Sequence, residues 1–369
     1  MTEQVKETKE TNDNGWYSEQ INDGFKLSYQ REENSEVRIA KSKWQQYELL
    51  ESIPFGKCLV IDHLLNSSAM DEWAYHESLL HPSLCVHPAP KNILILGGGE
   101  GGSLRESLKH PSVQTAKMVD IDEQLVKDIY EWMPEWSAGA YEDKRSEVVF
   151  RDAWDVVNEA DDESFDIIIC DLNEPLEGNP CSAMYTKEFY MQVNKKLKPG
   201  GIFTTQAGCA SIWLVLDEGE SSEFSSIYAT MCSVFHKAIP YSVYLPSFAD
   251  EWGYLMAFKN NSGNIDSESY RRYQAIDANP LIVNDYIKEC PDLEGSLRYY
   301  DAVAHNRMFS ILKPIRQLLE SDTKIITLKD PLYLEFNQGI CVEGIKTATS
   351  TSTGSIKVDT INTDSKSSG

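Results

Sequence analysis

Residues 92–106 read NILILGGGEGGSLRE. An apolar run stops at a cluster of glycines, and SLRESLKH then continues with helical spacing. A strand, a glycine turn and a helix follow one another within this short stretch. Gly97, Gly99 and Gly102 satisfy the spacing GxGxxG. Glycine lets a backbone turn tightly and come close to a ligand. Eighteen residues past Gly102 stands Asp120, at the end of the next strand-like run, AKMVDID. An acid there accepts hydrogen bonds from ribose hydroxyls, so the pair of features points to a ligand containing a nucleoside. It does not separate a nicotinamide dinucleotide from S-adenosylmethionine and its relatives. Glu100 bears on that choice. It lies within the glycine loop, where a dinucleotide would put its pyrophosphate, and a carboxylate there repels phosphate but attracts an ammonium or sulfonium.

The rhythm around this stretch sets the fold class. From Asn92 onward strand-like runs alternate with helical ones. EQLVKDIYEWM has apolar Leu125, Ile129 and Met133 on one helical face, and EVVF, DIIIC and GIFTT are short apolar strands. KEFYMQVNKKL and EFSSIYATMCSVFHK read as helices, with YSVYL and GYLMAFK as further strands. Such alternation predicts an α/β fold, a doubly wound and mostly parallel sheet with helices on both faces. Ligands then bind beyond the carboxyl ends of the strands. Before Asn92 the pattern changes. FKLSY, EVRIA, WQQYELLES and KCLVID predict a small antiparallel β domain over 15–82, with turns at 55–56 and 66–68. HPSLCVHPAP reads as its link to a catalytic domain over 83–335. Residues 1–14 and the Ser/Thr-rich 345–369 read as disordered.

Two more strand ends carry candidate chemistry. RDAWD, residues 151–155, places Asp152 and Ala153 where an adenine is often held. An Asp accepts from the exocyclic amine, and a small Ala leaves room for the ring. Asp152 also suits a helix N-cap. DLNEPLEGNPC follows DIIIC and sets Asp171, Glu174 and Glu177 on the same edge as Glu100 and Asp120. Five acids on one rim repel one another, and a polycation between them relieves that repulsion.

Composition narrows the function classes. The chain has 369 residues, 41% hydrophobic, and a formal net charge of −24, which repels nucleic acid and anionic membrane. No apolar run is long enough to span a bilayer. The polar first residues show no leader-like apolar core, so the reading is a cytoplasmic protein. Eight cysteines lie scattered without a CxxC pair, which argues against a disulfide framework and a zinc site. No metal and no resident cofactor are expected.

Taken together, SKWQQYELLES, DEWAYHESLLHPSL, ILILGGGEGG, VDID, RDAWD, DLNEPLEGNPCSAMYTKEFY, GIFTTQAG and PYSVYLPSFADEWGYLMAF resemble the spermidine/spermine synthase (aminopropyltransferase) family. The likeness runs from about Gly15 to Leu334. EGNPC, TQAG and PSFADEWG are most similar to its thermospermine branch. The resemblance implies a Rossmann-like sheet of the S-adenosylmethionine-methyltransferase type. It implies transfer of an aminopropyl group from decarboxylated S-adenosylmethionine, a co-substrate, to spermidine. Gln45, Gly97, Gly99, Glu100, Asp120, Asp152 and Ala153 then match the donor site, with Glu100 on the aminopropyl amine. Asp171 matches the catalytic proton acceptor. Tyr75, His76, Glu174, Glu177 and Phe248 match the acceptor side, and His76 stands where spermidine synthases usually have glutamine. Glu174 replaces a family aspartate. A homo-oligomer, dimer or tetramer, is implied. The alternatives are a spermidine or spermine synthase and, more distantly, a methyltransferase. A methyltransferase needs a partner for the methionine carboxylate, and Glu100 has the wrong sign for one.

Overall fold

The computed structural model describes residues 15–22, 25–175, 179–212, 221–259, 267–290 and 293–333. The terminal stretches 1–14 and 345–369, and Glu177, lie outside them. The chain opens with a hairpin, β1 (Trp16–Asn22) and β2 (Phe25–Gln30). A four-stranded antiparallel sheet follows: β3 (Arg38–Lys41), β4 (Gln46–Ser52), β5 (Gly56–Ile61) and β6 (Leu64–Ser68), in that order. Residues alternate across it, as the strand period requires. Tyr47, Leu49, Leu59 and Ile61 face one way, while Leu50, Cys58, Val60 and Leu65 face the hairpin. Residues 66–68, expected as a turn, end β6 instead, with Ser67 and Ser68 buried and paired to Leu59 and Cys58. Ser68 is satisfied locally, its Oγ donating to Asp71 Oδ1 at 2.7 Å, and both serines are held by their strand pairing with β5.

Helix α1 (Glu72–Val86) comes next. Thirteen of its fifteen residues are buried, so it is enclosed on nearly all sides. The expected link at 81–90 is therefore largely the end of this helix, Pro82 included. No apolar stripe marks it, because polar residues sit on its buried faces. One of them, Glu77, accepts from the backbone N–H groups of Arg298, Tyr299 and Tyr300, each at 2.8 Å. Those bonds remove the cost of burying its carboxylate.

The alternating part runs β7 (Asn92–Gly97), α2 (Gly102–Leu108), β8 (Thr115–Asp120), α3 (Glu123–Trp132), α4 (Pro134–Ser137), β9 (Ser146–Phe150), α5 (Ala153–Glu159), β10 (Phe165–Asp171), α6 (Lys187–Lys196), β11 (Leu197–Cys209), α7 (Glu223–Cys232), β12 (Lys237–Leu245) and β13 (Asp250–Phe258). Helices α8 (Glu268–Ala278), α9 (Leu281–Glu289), α10 (Ala302–Met308) and α11 (Lys313–Ser321) complete the described chain. The sheet order is β12-β13-β11-β10-β7-β8-β9. β11, β10, β7, β8 and β9 run parallel, and β13 is antiparallel to both of its neighbours. The fold is the mixed α/β, doubly wound sheet that the sequence predicts. The helix expected over EFSSIYATMCSVFHK stops at Cys232, short of Phe235.

Both sheet faces are covered. Ile93, Ile95, Ile167 and Ile169 pack with residues of α1, α2, α8, α9 and α10. Leu94, Leu96, Ile168 and Cys170 pack with α5, α6, α7 and α11. This is why these strands read as unbroken apolar runs rather than alternating ones. The small sheet rests on the large one through α3 and α4: Tyr47, Leu49, Leu59 and Ile61 meet Leu125, Ile129, Met133 and Trp136. Strand order reverses between β7 and β10, so a crevice opens at their carboxyl ends. Among the described residues no helix is long and apolar enough to cross a membrane.

Candidate active site

The glycine loop leaves β7 and Asp171 ends β10, and the two meet directly. Gly97 pairs with Asp171 in the sheet, and Gly98 N–H donates to Asp171 O at 2.9 Å. Asp120 ends β8 one strand further out. It accepts from Asp122 N–H at 2.8 Å, and a Cβ on Gly99 would lie 2.6 Å from its Oδ2. That contact explains the glycine, since any side chain would displace the acid. Burial raises the Asp120 carboxyl to about 6 against the lowering effect of its backbone donors. Gln45 reaches the same corner from the small sheet, its Nε2 donating to Asp122 Oδ2 at 3.0 Å. Asp152 caps α5, accepting from Trp154 N–H at 2.8 Å, with Ala153 buried behind it. The cap is the structural role that the sequence offered for Asp152 beside adenine binding. Both positions belong to the rim, because Arg151 N–H bonds to Asp120 O at 2.9 Å.

Asp171 is clamped. Tyr75 Oη donates to its Oδ1 at 2.9 Å, and Ser103 Oγ donates to its Oδ2 at 2.6 Å. The loop after it is braced from β11: Gln206 Nε2 donates to Leu172 O at 2.7 Å and to Tyr185 Oη at 2.9 Å. Tyr185 Oη in turn donates to Asn173 O at 3.0 Å.

The rim does not wait for a ligand to supply all of its positive charge. His76, fully buried, stands among the acids. Its Nδ1 lies 3.0 Å from Glu72 Oε2 and 2.7 Å from Glu72 O. Its Nε2 lies 2.8 Å from Glu100 Oε1 and 4.0 Å from Asp171 Oδ2. Burial alone would push the imidazole down, but the Glu100 and Glu72 carboxylates prevail and lift it to about 10. The flanking carboxylates thus favour its imidazolium form. The ring is pressed on the glycine loop, and a Cβ on Gly102 would fall 2.4 Å from it. The sequence reading assigned the relief of repulsion to a ligand alone; one internal cation already shares that task. Glu100 is still not satisfied: its Oε2 is buried without a hydrogen-bond partner among the described residues. Burial raises the Glu100 carboxyl, with His76 opposing.

Behind His76 runs a buried polar spine. Arg105 Nη2 lies 2.9 Å from Glu72 Oε2, and Arg105 Nε 2.7 Å from Glu106 Oε1. Glu106 Oε2 meets His81 Nε2 at 2.9 Å and Lys109 Nζ at 2.7 Å. His81 Nδ1 meets His110 Nε2 at 2.9 Å, and His110 Nδ1 meets Tyr286 Oη at 3.0 Å. Despite the opposing cost of burial, His76 and Arg105 hold the Glu72 carboxyl below its usual range.

On the far side lie three more acids. Burial raises the Glu174 carboxyl. Glu19 on the hairpin accepts from Leu65 N–H at 3.4 Å, and burial raises it to about 7, Glu174 adding to the effect. Glu223, at the start of α7, stands well above the usual carboxylate range through burial and the charge of Glu174. Phe248 sits at the β12–β13 turn, edge-on to Trp252 at 4.8 Å and packed in the same cluster as Tyr75. That turn is tied to the foot of α1, where Ser247 N–H donates to Asp71 Oδ2 at 2.8 Å.

The structure thus brings Gln45, Gly97, Gly99, Glu100, Asp120, Asp152, Ala153, Tyr75, His76, Asp171 and Glu174 to one crevice, with Phe248 in the apolar cluster that also holds Tyr75. Glu72, Ser103, Arg105, Glu19 and Glu223 were missed by the sequence reading. Glu72 and His76 four apart on a helix were a usable sign; the others have partners far away in sequence.

The sequence profile of the spermine/spermidine synthase domain matches residues 72–268. The chain is 37% identical over 320 residues to thermospermine synthase ACAULIS5 of Arabidopsis thaliana, covering 86% of this chain and 87% of that protein. It is 36% identical to a polyamine aminopropyltransferase of Aeropyrum pernix, over 80% of this chain and 88% of that one. Among solved structures, a spermidine synthase in complex with the transition-state analogue AdoDATO matches with a TM-score of 0.68 at 26% identity, covering 83% of this chain and 94% of its own. The spermidine synthase of Thermotoga maritima matches with a TM-score of 0.67 at the same identity and coverage.

Proposed function

The chain belongs to the spermine/spermidine synthase family, and from that membership we propose that it moves the aminopropyl group of decarboxylated S-adenosylmethionine to spermidine, giving thermospermine and methylthioadenosine. The observation that carries this reading is Glu100: a buried carboxylate inside the glycine loop whose Oε2 has no partner among the described residues. A pyrophosphate or a methionine carboxylate would be repelled there, whereas an aminopropyl ammonium completes the site. Asp120 and Gln45 would hold the ribose end, and Asp152 and Ala153 the adenine.

The chemistry follows from charge. The donor's sulfonium makes the adjoining propyl carbon electrophilic. The attacking amine needs its lone pair, and freeing it of a proton at pH 7 costs roughly 4 kcal/mol. As the N–C bond forms, the C–S bond breaks, its electron pair stays on sulfur, and nitrogen becomes positive. Asp171, held in place by Tyr75 and Ser103, lies where that charge grows and accepts the proton directly or through water. Because the clamp is already formed, no reorganisation is needed at the moment of transfer. Glu174 holds a remote ammonium of the acceptor and keeps its nitrogen in line.

The Arabidopsis relative and His76 support thermospermine over the other tetraamine. Incubation with decarboxylated S-adenosylmethionine and spermidine, followed by chromatography of the products, tests both levels. Thermospermine is the expected main product. Spermine as main product, or spermidine made from putrescine, would overturn the branch. No transfer to any polyamine would overturn the activity.

A further inference from the structure

We propose that Glu223 is a substrate-binding carboxylate that faces Glu174 across the acceptor path, holds a second ammonium group, and so selects a triamine over a diamine. The inference rests on the aminopropyl-transfer reading and deepens it. Glu223 opens α7, and its backbone is fixed by a capping box between Ser222 and Ser225. The residue is 7% exposed, and its Oε1 is buried with no hydrogen-bond partner among the described residues. Its other oxygen rests on the sheet itself. A Cβ on Gly208 would fall 2.1 Å from Glu223 Oε2, so the carboxylate occupies the space a side chain at the end of β11 would fill. Gly208 has φ +73, a conformation that glycine adopts freely.

The neighbours do not satisfy it. Gln206 is committed to Leu172 O, to Tyr185 Oη and, through Oε1, to Gly208 N–H at 2.9 Å. Helix polarity favours an acid in a first turn, which explains a glutamate at this position. It does not explain a buried one with an idle oxygen beside a second raised acid. Two such carboxylates repel each other in a poorly solvated place, and an ammonium between them removes both penalties.

Counting charges gives the selectivity. A diamine whose attacking nitrogen is neutral keeps one ammonium, and Glu174 can hold that alone. A triamine such as spermidine keeps two, and the second needs a second acid. Glu223 supplies it.

Calorimetry on full-length protein preloaded with methylthioadenosine tests this. Glu223→Gln should weaken spermidine binding about tenfold or more, and putrescine binding by less than about threefold. Glu223→Asp should recover a good part of the spermidine affinity. Should Glu223→Gln not fold, Gly208→Ala, whose methyl displaces the carboxylate, carries the same expectation. Spermidine affinity within twofold of wild type overturns the inference, as does an equal loss for both amines or a parallel loss of methylthioadenosine binding. Wild-type protein that binds no polyamine would instead sink the underlying reading.

Discussion

The two halves of the crevice handle their acids in opposite ways. On the β7–β8 side the carboxylates are answered before any ligand arrives: Asp120 by a backbone donor, Asp152 by its own cap, and one oxygen of Glu100 by His76. On the β10–β11 side, beyond the clamped Asp171, Glu174 and Glu223 are raised by burial, and one oxygen of Glu223 has no partner among the described residues. The first half is preorganised, so a nucleoside bound there would change little in the protein. In the second, the buried acids take on charge only at a cost that a bound cation would offset, so the acceptor should stabilise the protein.

Removing the acid where the halves meet gives the largest effect. Asp171→Asn keeps the shape and the Tyr75 and Ser103 neighbours but cannot take a proton. Turnover should fall about a thousandfold, while methylthioadenosine affinity by calorimetry stays within about threefold. Equal loss of both would erase the distinction between the halves.

Arg105→Leu attacks what they share. It strips the guanidinium from Glu72 and Glu106 together and leaves buried charge uncompensated. Unfolding in urea should show a loss of about 3 to 5 kcal/mol. A loss below 1 kcal/mol would mean the spine is ornamental.

Glu19→Gln probes the cost of charging a buried acid. The folded carboxyl sits near 7 against an ordinary 4.5. The folded state thus holds its proton more tightly than the unfolded chain. Stability is full below the ordinary value and declines as pH rises toward 7. The variant should flatten that decline, by on the order of 2 kcal/mol between pH 5 and pH 8. Unchanged pH dependence would show that Glu19 is answered by something else.

Gly99→Ala is the smallest change and reaches one half alone. Its methyl meets Asp120 Oδ2, so methylthioadenosine affinity should drop about tenfold while putrescine and spermidine affinities hold. A matching loss for the amines would show the halves to be coupled.

Much of the fold was legible in the sequence. Ile167, Ile168 and Ile169 announce a strand buried on both faces, and the glycine loop with Asp120 announces two strand ends that meet at one corner. Helix α1 was not legible, because a helix buried all round shows no periodic stripe, and Pro82 argues against helix. The turn expected at 66–68 failed because Ser67 and Ser68 are buried in a strand by partners that only the folded chain brings near. Arg105 and Glu223 look like ordinary surface charges in sequence; their meaning comes from Glu72, thirty-three residues away, and from Gly208.

Helix α1 has a consequence for how such a site can diverge. Its Tyr75 holds Asp171, its His76 meets Glu100 and its Glu77 anchors the backbone near Tyr300, leaving almost no position free to drift. Novelty in acceptor choice would therefore arise in the loops after β10 and β11, while this keel beneath them stays fixed.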